Sequence, residues 1–217
     1  MSLKTSHEEL PEHLGGHNYV TWHDEGALDY FIKNFKIKSL LDIGCGPGAQ
    51  TELAREKGIF SVGIDGDYTL KRNTNTMFQI HDYCKGPLSL NDIKYRPNDE
   101  YFDLGWCIEF LEHVEEKYIP NFMETFKACK IVVVTHAFPG QGGHHHVNEQ
   151  EKSYWVDVFR KYGFKHSEKI LSELLQNTTM RRKRRKNRFT RVKENKNWLE
   201  LNGSVFLNRN IWLSRRE

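Results

Sequence analysis

From residue 24 onward, short apolar runs alternate with stretches whose apolar positions recur at helical spacing. Asp24 is placed to cap a helix over Glu25 to Asn34, with Ala27, Leu28, Phe31, Ile32 and Phe35 on one face. Ser39 to Ile43 reads as a buried strand, and Ala49 to Glu56 as the helix after it. Further strands are expected at Val62–Asp65, Met77–His81, Tyr101–Cys107 and Lys130–His136. The β-branched centre of the last, Ile131 to Val134, suits a parallel strand covered on both faces. Amphipathic helices are expected over Glu115–Lys127, with Tyr118, Ile119, Phe122, Met123 and Phe126 inward, and over Gln150–Tyr162, stopped by Gly163. Lys165 to Leu171 is read as another strand, and Ile211 to Leu213 as the last. Strand–helix alternation of this kind predicts an α/β fold.

The first of these units carries chemistry. Leu40-Leu41-Asp42-Ile43 runs into Gly44-Cys45-Gly46-Pro47-Gly48 and then a helix. A glycine turn between strand and helix lets a ligand approach backbone N–H groups with no Cβ in the way. Asp65 ends the next strand, 21 positions after Gly44, where a β-α-β nucleotide fold places the carboxylate that binds ribose hydroxyls. A dinucleotide site wants G-x-G-x-x-G; here the order is Asp42-x-Gly44-x-Gly46-x-Gly48.

That order resembles motif I of the class I S-adenosylmethionine-dependent methyltransferases, in their small-molecule branch, and the resemblance covers roughly Ser39 to Phe164. It implies a Rossmann-like seven-stranded, mostly parallel sheet with an antiparallel seventh strand inserted between the fifth and sixth, and helices on both faces. It also implies a cofactor set. Asp42, Gly44, Cys45, Gly46 and Gly48 would face the methionine part, and Asp65 and Gly66 the ribose. Asp82 would accept from the adenine amino group and Tyr83 would offer a backbone donor. Trp106 and Cys107, closing a strand that opens Phe102-Asp103-Leu104, would lie near the reactive methyl group. A leading helix commonly covers the cofactor in this family, so Tyr19 and Trp22 just before it are candidates for closing the acceptor side.

Composition bounds the rest. A chain of 217 residues with 38% hydrophobic and 12% aromatic content is expected to form one globular domain. Residues 1–17 read as a polar, poorly ordered leader, and 176–197 as a basic insertion. No apolar run approaches the ~20 residues that span a bilayer, and the first residues lack an apolar signal core, so the cytoplasm is expected. Cys45, Cys84, Cys107 and Cys129 stand singly without CxxC spacing, which fits reduced thiols. The net charge of +3 conceals nine basic residues and no acid between Arg181 and Lys193, leaving the remainder net acidic. Arg181 and Arg185 in this run are candidates for gripping an anionic acceptor. A phosphate backbone, an acidic small molecule and plain solvation are the three readings of the run.

Methyl transfer from a sulfonium needs alignment, exclusion of water and removal of a proton where the acceptor holds one. There is no Asn/Asp-Pro-Pro-Tyr/Phe motif of base-amine enzymes and no Pro-Cys dipeptide of cytosine-C5 enzymes. His145, with His146 beside it in the His144-His145-His146 loop, is the expected general base, and His136 a substrate neighbour. Glu109-x-x-Glu112-His113 resembles the metal-binding stretch of ubiquinone-pathway O-methyltransferases and of small-RNA 2′-O-methyltransferases. The reading adopted is metal-free; the alternative places a divalent ion on Glu109, Glu112, His113 and His145. The expected activity is methyl transfer from S-adenosylmethionine to O or N of a small acceptor, anionic in one reading of the basic run. RNA 2′-O-methylation with a metal, and a non-catalytic cofactor-binding protein, are the alternatives.

Overall fold

The computed structural model describes residues 10–16, 20–98, 100–184 and 197–214. In chain order its elements are β1 (Val20–His23), α1 (Glu25–Phe35), β2 (Ser39–Ile43), α2 (Ala49–Glu56), β3 (Phe60–Asp65), β4 (Met77–Ile80) and β5 (Phe102–Cys107). There follow α3 (Ile119–Phe126), β6 (Cys129–Val134), α4 (Lys152–Lys161), β7 (Phe164–His166), α5 (Glu168–Leu175), β8 (Arg181–Arg184), α6 (Trp198–Asn202), β9 (Ser204–Asn208) and α7 (Arg209–Ser214). Seven strands form one sheet in the order β4-β3-β2-β5-β6-β9-β7. Only β9 runs antiparallel to its neighbours β6 and β7.

Continuous apolar strands are required because both faces of the sheet are covered. Leu41, Ile43, Val132 and Val134 point into a core with Phe122, Phe126, Trp155 and Phe159. Their neighbours Leu40, Leu104, Trp106, Ile131 and Val133 point the other way, against Leu28 and Phe31 of α1 and Leu171 and Leu174 of α5. The period-two alternation of side chains thus splits each strand between two helical layers. Asp24 caps α1 as expected, its carboxylate accepting from Ala27 N at 2.9 Å. Among the described residues, no helix is long and apolar enough to cross a membrane.

Four expectations are corrected. The strand read over Lys165–Leu171 is confined to β7; Ser167 then accepts from Ile170 N and starts α5. Ile170, Leu171 and Leu174 follow helical spacing, which a short apolar run hides. The inserted antiparallel strand is Ser204–Asn208, while Ile211–Leu213 lies in α7. The basic insertion begins with a strand, β8, paired antiparallel with β1 in a separate two-stranded ribbon. Part of the polar leader is also ordered, with a 3-10 turn at Glu12–Leu14.

Candidate active site

The strand order reverses between β2 and β5, and at such a switch point the carboxyl ends of parallel strands leave a crevice for a ligand. Asp42 and Trp106 stand opposite each other at this point in the β2/β5 register. The glycine turn bends back over β3, with Gly44 N and Cys45 N both donating to Ile64 O at 2.9 and 3.1 Å. Gly44 adopts φ +72°, and a Cβ there would meet the Phe110 ring at 2.5 Å. Only glycine satisfies both conditions.

Asp65 holds the turn. Its Oδ2 accepts from Gly46 N at 2.7 Å and its Oδ1 from Asp67 N at 2.8 Å. Arg72, which no sequence motif marked, pairs with Asp65 at 3.2 Å and donates from Nε to Gly46 O at 2.9 Å. Asp42 is buried and accepts from Thr51 Oγ1 at 2.6 Å; loss of hydration pushes its carboxyl up to about 7.

Two cavities meet here and share Gly16, Gly44, Glu109 and His113 in their walls. The smaller, of about 70 Å³, is lined by Asp65, Gly66, Asp82 and Tyr83. Over it lies the leading segment: His13 Nε2 approaches Asp82 Oδ2 at 3.2 Å, and Leu14 packs against Gly66. The larger, of about 180 Å³, is lined by Val20, Thr21, Trp22, Asp42, Trp106, Ile108, His144 and His146.

Between them sits the acid–histidine cluster. Glu109 follows β5 with φ +55°, and its N–H donates to Thr135 Oγ1, whose O–H donates to Glu109 Oε1. Leu111–His113 then makes one 3-10 turn. Val147 N and Asn148 N both donate to Glu112 O, at 2.9 and 3.1 Å, and this draws the histidine loop onto the turn. As a result, ligating atoms of Glu112, His113 and His146 lie within 4.8 Å of one another.

Each member is set up for a cation. Glu112 is fully buried, and neither carboxylate oxygen has a hydrogen-bond partner among the described residues. Burial first and the Glu109 charge second raise its carboxyl well above the usual range. A buried carboxyl with both oxygens unmet is a costly arrangement that a positive ion would relieve. Burial lowers His113 to about 4, so its imidazole is neutral near pH 7. The second nitrogen of each imidazole is held, His113 Nδ1 by His145 O at 3.2 Å and His146 Nδ1 by Glu149 Oε1 at 3.1 Å. Such outer partners orient metal-binding histidines. The residues therefore fit a divalent cation.

Residues 41–133, the span from β2 to β6, match the family model described as a methyltransferase domain. Over this span the chain is similar to the methyltransferase-domain family. A SAM-dependent methyltransferase from Archaeoglobus fulgidus shares the fold, with TM-score 0.50 and 17% identity over 82% of this chain and 89% of that one. The ubiquinone biosynthesis O-methyltransferase of Nitrosospira multiformis is 31% identical over 47% of this chain and 42% of its own length. That of Pseudomonas entomophila is 28% identical over 64% and 54%. The chain thus spans about half the length of these curated relatives.

The expected residues fall into groups. Asp42, Gly44, Cys45 and Trp106 line the larger cavity, and Asp65, Gly66, Asp82 and Tyr83 the smaller. Gly46 and Gly48 shape the turn, where a Cβ on Gly48 would meet Phe78 at 2.5 Å; Cys107 is buried in the core. Trp22 lines the larger cavity, whereas His136 is a buried residue bonded to Ala137 O and facing Trp155. His146 joins Glu112 and His113, while His145, at φ +52°, contributes its carbonyl oxygen and lines neither cavity. Tyr19 and Arg185 lie outside the described residues. His13, Gly16, Thr21 and Arg72 were not foreseen, because only the folded chain brings them to the crevice.

Proposed function

We propose that the domain binds S-adenosylmethionine across the two cavities and methylates an acceptor hydroxyl beside a divalent cation held by Glu112, His113 and His146, with Glu109 adjacent. The observation that carries this is the pair of unmet, buried Glu112 oxygens beside two oriented imidazoles, His113 and His146, at the switch point. The glycine turn offers backbone surface to the methionine part, and Asp65 and Asp82 offer acceptors to the nucleoside part. His13 and Leu14 lie over the smaller cavity at that end. Trp22, Trp106 and Ile108 give the acceptor side apolar walls that orient a substrate against the methyl group. When bound, the cofactor supplies an electrophilic methyl group and the cation lowers the pKa of a hydroxyl. The name shared by the curated relatives supports a small acceptor carrying an oxygen nucleophile.

A titration of metal-stripped protein with Mn²⁺, read by calorimetry and electron paramagnetic resonance, tests the cluster. The wild type should bind one ion and Glu112→Gln should bind at least about 10-fold more weakly, since a ligand is lost. Equal binding by both proteins would reject the cluster. S-adenosylhomocysteine titrated into the same samples tests the cofactor assignment separately.

A further inference from the structure

The larger cavity is walled by a strand whose partner carries the basic run. β1 supplies Val20, Thr21 and Trp22 to that wall. Along its whole length it pairs with β8, Val20 opposite Arg184, Thr21 opposite Lys183, Trp22 opposite Arg182 and His23 opposite Arg181.

The position of β8 is fixed from below. Asp24, fully buried at the start of α1, accepts from Thr178 Oγ1 and from Thr179 N, the latter at 2.8 Å. Gly26 N donates to Thr179 Oγ1 at 2.8 Å. On the far side of the run, Asn197 Nδ2 donates to Thr178 Oγ1 at 3.1 Å, and Trp198 packs edge-on against Trp22 at 5.9 Å. The stems of the run are therefore tied to β1 and to the start of α1 that follows it. A merely solvated basic segment needs no such anchorage.

Inside the cavity, Trp106 is 1% exposed, and its Nε1–H has no acceptor among the described residues. Trp106 lines the cavity with a donor that has no partner among the described residues, and β8, four basic residues long, is paired with a strand of the cavity wall; both call for an anionic, oxygen-rich ligand. One carboxylate is met by one guanidinium. Four residues of extended strand cover ~10 Å from first to last, more than one carboxylate spans.

We infer that the methyl acceptor bears phosphate groups, which bind along the β1–β8 ribbon while its hydroxyl enters the larger cavity. This rests on the methyltransferase reading of the site. Phosphate is favoured over carboxylate because the four consecutive basic residues of β8 match several phosphoryl charges. The phosphates belong either to a nucleotide chain or to a small phosphorylated molecule.

The test uses the full chain with two probes, a ten-residue oligouridylate and inorganic triphosphate, each read by tryptophan fluorescence with and without S-adenosylhomocysteine. At least one probe should bind. The triple variant Arg181→Gln/Arg182→Gln/Arg184→Gln should weaken it at least about 10-fold, and Arg160→Gln, on exposed α4 surface, should not. A steep log–log salt dependence with the oligouridylate identifies a chain, and tighter triphosphate binding with a shallow slope identifies a small molecule. No binding of either probe at millimolar concentration in low salt overturns the inference, as does equal binding by the triple variant. Absence of S-adenosylhomocysteine binding alongside intact phosphate binding would instead reject the methyltransferase reading.

Discussion

The two cavities that meet at Gly44 are furnished in opposite ways. Around the smaller one the acids are already engaged. Asp65 accepts from two backbone N–H groups and pairs with Arg72, and Asp82 accepts from Cys84 N and faces His13. These bonds hold Asp82 below the ordinary carboxylate range despite its burial. In the wall of the larger one Trp106, and in the cluster between the two Glu112, keep polar atoms without partners among the described residues. Buried polar groups left unmet are expensive, and a fold retains them where a ligand completes the set. On the proposed reading, the cofactor side is preorganised by the chain itself, and the acceptor side leaves polar groups for a cation and a substrate to meet.

The harshest way to break this contrast is at the shared wall. Gly44→Val would impose a left-handed β-branched residue, costing about 1–2 kcal/mol, and press a side chain into Phe110, adding about 1–3 kcal/mol. S-adenosylhomocysteine binding should become undetectable by calorimetry, while Gly58→Val, with open space around its Cβ, should retain it.

Asp65→Ala removes the acceptor on the cofactor side. It should weaken S-adenosylhomocysteine by about 1.5–3 kcal/mol, the range for a hydrogen bond to a charged group, and leave Mn²⁺ affinity unaltered. Glu149→Ala is the opposite probe. Glu149 orients His146 and accepts from Gly140 N and Gly142 N. Its loss should lower Mn²⁺ affinity about 10–100-fold, as outer partners of ligands do, with cofactor affinity retained. If either variant moved both affinities equally, the two sides would be one cooperative unit.

The gentlest probe is pH. Burial raises Asp42 from its ordinary 3.8 to about 7, so its favourable contribution to folding is complete below 3.8 and is lost as pH rises through about 7. Urea unfolding of the ligand-free wild type should show stability falling relative to Asp42→Asn between pH 5 and 7. The expected difference is on the order of 1 kcal/mol per pH unit. Parallel pH profiles for the two proteins would show that Asp42 is ionised throughout.

Much of the cofactor side was legible in the chain because its chemistry is local. Gly44, Gly46, Asp65 and Asp82 follow strands whose apolar runs are plain, and the glycine spacing dictates a turn that few other residues permit. Elements held by long-range pairing were harder. Ser204–Asn208 becomes a strand because β6 and β7 flank it, whereas Ile211–Leu213, equally apolar, continues into a helix. Lys165–Leu171 is short enough that helix and strand patterns coincide, and the Ser167 cap decides between them.

The sequence by itself determined the α/β alternation, the glycine turn and the acids that close the strands, since hydrophobic period and backbone sterics act over a few residues. Only the tertiary structure decided which histidine joins Glu112 and His113. His144, His145 and His146 are chemically equal in sequence. The bonds from Val147 and Asn148 to Glu112 O, with His145 at φ +52°, place the His146 ring in the cluster and leave the His145 carbonyl to hold His113. The tertiary structure likewise laid Arg181–Arg184 along β1, a pairing between residues some 160 positions apart that no local pattern encodes.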